Sequence, residues 1–257
     1  LYLPSNFELM KKIILVIIVL IPEFLLAQKK VENQQLIWYG YYNDLKFNEN
    51  WNLNSEIQER QFYNPTAQHQ LVFRSNLERK VFGDWNASVG MTLFLQNPNT
   101  PNSESNLTVP ELRPDIGFSN KQKLGFLTIN HRYKAEARFF HDVENDRLVG
   151  GYRFSNFRLR YQLGLDVPIW KNEKQQALIV KIKDEIMFNV GNKIVKNTFD
   201  QNRIYAAFNY KLNASYAFEI GYMNWFQQQK SGVDFYNRDI LRLSIIQSID
   251  LKKKKNG

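Results

Sequence analysis

Three histidines, His69, His131 and His141, carry most of the capacity for acid–base or metal chemistry in this chain, and they lie far apart. None belongs to an H-E-x-x-H pair or another ligand spacing, and the chain has no cysteine. A metal centre, a thiol nucleophile and a disulfide framework are therefore not expected, and no phosphate-cradling glycine loop or other cofactor motif is present. His131 supports the one sharper hypothesis. Leu127, Ile129, His131, Tyr133, Ala135, Ala137 and Phe139 alternate with polar residues, which puts His131 on the apolar face of a strand. From there it could act as general base for acyl transfer on lipid if a hydroxyl and an orienting group came within reach. Ser119 and Ser155 on flanking segments are the available hydroxyls. The reading favoured by the spacing is a histidine at the headgroup level of a membrane, without catalysis. Glu136 between Arg132 and Arg138 could likewise suggest a carboxylate active site. Residues at i and i+2 share one side of a strand and attract partners across it, so an ion-paired staple is the expectation.

The elements that must position these residues are strands. Asn52, Asn54, Glu56, Gln58 and Arg60 alternate with Trp51, Leu53, Ser55, Ile57 and Glu59, and Arg158, Arg160 and Gln162 alternate with Phe157, Leu159, Tyr161 and Leu163. A period of two means one apolar and one polar face. Eleven such segments are legible, at 35–44, 50–63, 68–81, 84–96, 109–119, 123–140, 152–167, 176–190, 200–212, 215–227 and 237–251. Most exceed the soluble-strand length of about 5–6 residues and reach the roughly 9–11 that cross a bilayer obliquely. Tight turns at Gly83-Asp84, 120–122 and Asn213-Ala214 alternate with polar loops at 97–108, 141–151, 191–199 and 228–236. Short turns on one side and long loops on the other are the asymmetry of an outer-membrane barrel. Aromatics at segment ends, among them Trp38, Trp51, Trp85, Trp170 and Trp225, suit its two headgroup girdles. An all-β, antiparallel up-and-down transmembrane barrel is thus expected. Bacterial barrels normally have an even strand count with both termini on the short-turn side. Twelve strands are therefore expected, with ten as the alternative, and the missing one would lie before Gln35 or within 97–109.

Met10, Lys11 and Lys12 lead into an apolar run over 13–26 that ends at Ala27. This reads as a secretory signal peptide cleaved after Ala27, with residues 1–9 upstream of a start at Met10. Residues 28–257 then form a single barrel domain. The net charge is +9, from 34 basic and 25 acidic residues. Four of the positive charges sit in Lys252, Lys253, Lys254 and Lys255, and the rest are interleaved with acids. Without a zinc finger or an aromatic–basic recognition motif, nucleic-acid binding is not expected. Three glycosylation sequons, at Asn86, Asn106 and Asn213, are read as chance.

Charges of both signs recur at matching depth on the polar faces: Glu56, Arg60, Arg74, Glu78, Arg132, Glu136, Arg138, Arg158, Arg160, Lys183, Glu185, Arg203, Glu219 and Arg242. In a narrow closed barrel they would pair across the lumen and fill it, since buried charges persist only when paired and hydrogen-bonded.

The ordered set Trp51-x-Leu53-x-x-Glu56-x-Gln58-x-Arg60, Glu111-Leu112-Arg113, His131 to Phe139, Phe157 to Tyr161, Asp184-Glu185-Ile186, Asn202-Arg203 and Gly221-Tyr222-Met223 resembles the bacterial family called domain of unknown function 2490. The resemblance covers nearly all of 28–257. It implies an outer-membrane barrel of Gram-negative bacteria and brings no activity or substrate. The last segment departs from outer-membrane strands that finish on an aromatic, because it ends Ile249-Asp250-Leu251. The expectation for function is an outer-membrane barrel, structural or allowing limited passage of small solutes. It would be monomeric, with outer-membrane lipid and the barrel-assembly machinery as partners. An outer-membrane lipid hydrolase and a soluble periplasmic barrel holding an apolar ligand are the alternatives.

Overall fold

The computed structural model describes residues 29–251 apart from 193 and 195. The expected signal peptide with its cleavage point, and the terminal lysines, lie outside them. Eleven strands are found among the described residues: β1 (Val31–Lys46), β2 (Trp51–Phe62), β3 (Ala67–Phe82), β4 (Trp85–Gln96), β5 (Val109–Leu124), β6 (Leu127–Glu144), β7 (Arg147–Lys171), β8 (Ala177–Val190), β9 (Phe199–Lys211), β10 (Tyr216–Gln228) and β11 (Phe235–Asp250). They form one closed barrel in sequence order. Every pairing is antiparallel except the closure, where β1 runs parallel to β11 from Val31 opposite Phe235 to Lys46 opposite Asp250. The eleven segments read from the sequence correspond to the eleven strands, close to the expected twelve. The expected loop at 141–151 is instead the extension of β6 and β7 to a two-residue turn at 145–146, and the turn expected at 120–122 falls at 125–126. No twelfth strand lies within 97–108 or between Lys29 and β1. The odd count means that β1 starts at the long-loop end, and a parallel seam resolves the parity without another crossing.

Alternation sorts the side chains as the pleat requires. Each strand offers an exposed apolar residue to the outside: Tyr41, Ile57, Phe73, Val89, Ile116, Tyr133, Leu159, Ile182, Phe208, Ile220 and Ile245 from β1 to β11 in turn. The short turns add an exposed aromatic each, at Phe47, Phe82, Phe126, Trp170 and Tyr216. The belt has a few polar breaks. Ser55 faces Ser75 with hydroxyls 3.3 Å apart, and Asn202 donates to Asp184 at 2.6 Å.

The inner face is the polar one, and its crowding is uneven. Toward the short turns it carries short, partly exposed side chains such as Asn52, Asn54, Ser88, Ser119, Thr128 and Ser248. Toward the long loops it carries arginines, glutamates and tryptophans buried from solvent. Trp38 and Trp225, expected at a headgroup girdle, point inward instead. They lie in a buried cluster with Leu36, Phe62, Tyr205, Met223 and Ile240. Their parity decides this, since Trp38 shares a face with Gln34 and Tyr42 and not with exposed Tyr39 and Tyr41.

Candidate lumen site

Two electrostatically different halves make up the interior. The first spans β4 to β9 and is built on acids. Glu111 accepts from Arg113 Nε and Arg138 Nε, both at 2.6 Å, and also from Gln96. Glu136 pairs with Arg160, which reaches on to Glu185 at 2.8 Å, and Arg132 meets Glu185 at the same distance. Arg158 lies 2.9 Å from Asp200. Arg113 and Arg158 flank Glu136 Oε2 at 3.8 and 3.9 Å, yet that oxygen accepts no hydrogen bond from the described residues. The result is one continuous lattice in which Glu111, Glu136 and Glu185 each serve two or more guanidiniums. In such an interior a single deletion strands the remaining partner at about 3–5 kcal/mol.

Glycines make room for this lattice. Lys134 on β6 donates to Asp115 on β5 and to Asn76 on β3, both at 2.7 Å. It crosses β5 and β4 at Gly117 and Gly90. A Cβ at Gly117 would come within 2.8 Å of Ser88 Oγ and 3.1 Å of Lys134 Cγ, and one at Gly90 would run into Asn76 Oδ1. Gly40 and Gly221 do the same for aromatic rings, since a Cβ at either would stand 2.6 Å from the ring of Tyr42 or Tyr205.

The second half spans β9, β10, β11, β1 and β2 and is built on tryptophan and arginine. Trp225 is the cross-strand partner of both Arg203 and Arg238. Trp38 is the partner of both Arg60 and Arg242. The guanidinium carbons of Arg203 and Arg238 lie 4.6 and 4.5 Å from the Trp225 ring centre, and that of Arg60 lies 3.9 Å from Trp38. These are cation–π distances. The two indoles meet edge to face at 5.6 Å. Arg60 hydrogen-bonds Gln58 and Gln70, Arg203 bonds Gln201, and Arg242 bonds Tyr42. Above them the 97–108 loop crosses the mouth. Asn99 receives Gln34 Nε2 on its carbonyl at 2.9 Å, and Ser105 on the far side bonds Asp146 of the β6–β7 turn.

The residues singled out in the sequence distribute as follows. Glu56 and Arg74 pair with each other. Glu78 faces inward on β3 between Asn52 and Ser88. Glu136 takes Arg160, Arg158 and Arg113 rather than its strand neighbours Arg132 and Arg138, which go to Glu185 and Glu111. Glu219 takes Lys181 at 2.9 Å, Tyr205 and Asn209, and Lys183 stands beside the Tyr205 ring. Glu111, Arg113, Asp115, Lys134, Asp200 and Arg238 were missed. For Glu111, Arg113 and Asp115 the alternation was there to be read, and Arg238 lies four residues from Arg242 on the same face.

The histidines are not brought together. His69 is buried in the mouth against Phe62, 4.9 Å between ring centres. His141 lies 3.1 Å from the Asp142 carbonyl. His131 sits on the outer wall with Nδ1 3.0 Å from the Tyr161 hydroxyl. Ser119 faces the opposite way, toward Arg132 and the lumen. Ser155 falls in a bulge eight residues along β7 from Leu163, the partner of His131. Neither serine hydroxyl can serve this histidine.

No curated protein matches the chain. Among solved structures it is similar to one described as "NanC porin structure in rhombohedral crystal form", with 11% identity, 79% of this chain and 93% of that chain covered, and a TM-score of 0.47. Residues 35–237 match the family described as "Protein of unknown function (DUF2490)", so the barrel from Gln35 in β1 to Asn237 in β11 falls within the match. The chain belongs to the DUF2490 family.

Proposed function

We propose that this protein is an outer-membrane β-barrel of a Gram-negative bacterium, exported by a cleaved signal peptide. It is structural or allows limited passage of small solutes, and its lumen is closed at rest. The observation that carries this reading is the polarity of the wall. Eleven strands present exposed apolar residues outward, and all but β4 carry charged residues inward. A soluble barrel that held an apolar ligand would need the opposite arrangement. Soluble monomers rarely expose contiguous apolar patches above a few hundred Å², whereas a belt that runs around every strand suits acyl chains. The exposed aromatic at each short turn suits a headgroup girdle.

Closure follows from the same residues. Barrels of about eight strands are filled by their own side chains, and open porins use 16–18. At eleven strands, the long arginine and glutamate side chains and the 97–108 loop account for the remaining space. On this reading the barrel is a monomer, its solvent is outer-membrane lipid, and the assembly machinery inserts it. The test is fractionation with carbonate washing, together with heat-modifiable gel mobility of the extracted protein. Recovery in the soluble periplasmic fraction, with mobility unaffected by heating, would end the reading.

A further inference from the structure

We propose that the mouth of the barrel contains a binding site for a small oxyanion, meaning the carboxylate, phosphate or sulfate group of a solute. The site is formed by Arg60, Arg203, Arg238 and Arg242 around Trp38 and Trp225. The inference deepens the reading above by naming the class of solute that the lumen admits.

The first ground is charge without counter-charge. Four guanidiniums are gathered on two touching indoles, and no carboxylate of the described residues comes within 4.0 Å of any of them, whereas Arg113, Arg132, Arg138, Arg158 and Arg160 each have one. The acids on neighbouring strands are committed elsewhere. Glu56 pairs with Arg74, Glu185 with Arg160 and Arg132, Glu219 with Lys181, and Glu32 accepts from Gln34. Like charges held together away from water repel strongly, and a bound anion is what relieves them.

The second ground is independent of charge. Trp38 Nε1 and Trp225 Nε1 are both buried in this cluster without a hydrogen-bond partner among the described residues. Buried polar groups are nearly always satisfied, so each exception requires an explanation. Both indole nitrogens can only donate. Two unanswered indole donors among unpaired cations ask for a negatively charged acceptor.

Asn99 shows where that acceptor belongs. Its side-chain oxygen lies 3.4 Å from Arg238 Nη2 and 3.4 Å from His69 Nε2. A neutral amide of the mouth loop thus stands at long range from groups that an anionic oxygen would hold at about 2.7–2.9 Å. The incoming oxyanion displaces this amide and takes both donors.

The test uses the full barrel folded in detergent micelles, so it does not depend on membrane location. Thermal unfolding and tryptophan emission are followed during titration with acetate, inorganic phosphate or sulfate against chloride at matched ionic strength. The three arms identify the preferred oxyanion. The expected result is a saturable rise in melting temperature with at least one oxyanion, over and above chloride. Arg203→Gln and Arg238→Gln should each weaken the apparent affinity about ten-fold or more, the effect of losing one charge-assisted donor. Lys123→Gln, in the short-turn region, should leave it unchanged. Asn99→Asp places a carboxylate on the intact cluster. It should raise the melting temperature without added anion and abolish the response to titration, which keeps the test decisive should the arginine variants fail to fold. Equal, non-saturating responses to chloride and to every oxyanion would overturn the site, as would destabilisation by Asn99→Asp. Recovery of the protein in the soluble fraction would end the membrane reading while saturable binding stood.

Discussion

Lys134 and Asn76 lie three strands apart on the barrel wall, and their side chains meet at 2.7 Å because the two strands between them present glycines. Neither glycine has a positive φ, so both are kept for space and not for backbone freedom. Gly117→Val should therefore act as an overpacking substitution. It forces Lys134 off Asp115 and crowds the Tyr133 carbonyl, 2.9 Å from an added Cβ. The expected loss is about 1–3 kcal/mol, read from urea unfolding of the barrel in micelles. A variant as stable as the parent would mean that Lys134 has another place to go.

Glu136 should be the costliest single acid to remove. It is 1% exposed, and three arginines lie within 4 Å of it. Glu136→Ala leaves the three with one acid each, Glu111 for Arg113, Asp200 for Arg158 and Glu185 for Arg160, and the cost should approach the roughly 3–5 kcal/mol of a broken buried pair. Glu136→Gln keeps the shape and loses only the charge, so it should fall between alanine and the parent. Equal stability of all three forms would show that water enters the lattice freely enough to solvate the arginines.

How far this arrangement could be read in the sequence depends on the interaction. Period two fixed which residues of β6 and β7 face outward, since Leu159 and Leu163 are exposed and Arg158 and Arg160 buried. It also placed Glu185, Arg203 and Arg242 on the inner face. Partner choice was not legible, because the lattice pairs residues by depth around a curved wall. Glu136 finds Arg160 on β7 and Arg113 on β5, not Arg132 and Arg138 two residues away. Trp38 and Trp225 misled because aromatics are common both at headgroup level and in any packed interior. Only their parity against Tyr39 and Phe226 separates the two. The parallel closure of β1 on β11 leaves no local mark at all, since it pairs the two ends of the sequence.

The outer wall gives a test of register that separates lipid contact from lumen chemistry. Leu159 and Arg160 are adjacent, with 47% exposure for the first and 8% for the second. On the membrane reading, Leu159→Arg exposes a charge to acyl chains for about 2–4 kcal/mol near the midplane. It should slow insertion into lipid vesicles and cost little in micelles, where headgroups and water are close by. Arg160→Leu removes the partner of Glu136 and Glu185 and should cost similar stability in both media. If Leu159→Arg inserts into vesicles as the parent does, the wall at that depth does not face lipid.

Conductance tests the closed lumen directly. In planar bilayers the unmodified protein should give small or no steady current, because its long-loop half is crossed by the Glu111 to Glu185 lattice and covered by the 97–108 loop. The loop is a weaker barrier than the lattice. Its ties to the wall are a few hydrogen bonds through Asn99 and Ser105, each worth about 0.5–1.5 kcal/mol net. Deleting residues 99–105 should therefore change the current little, whereas Glu136→Ala should raise it by freeing Arg160 and Arg113 to swing aside. Large stable openings in the parent would refute a lumen filled by its own charges. If the loop deletion alone opened the barrel, the barrier would lie at the mouth and not in the lattice beneath it.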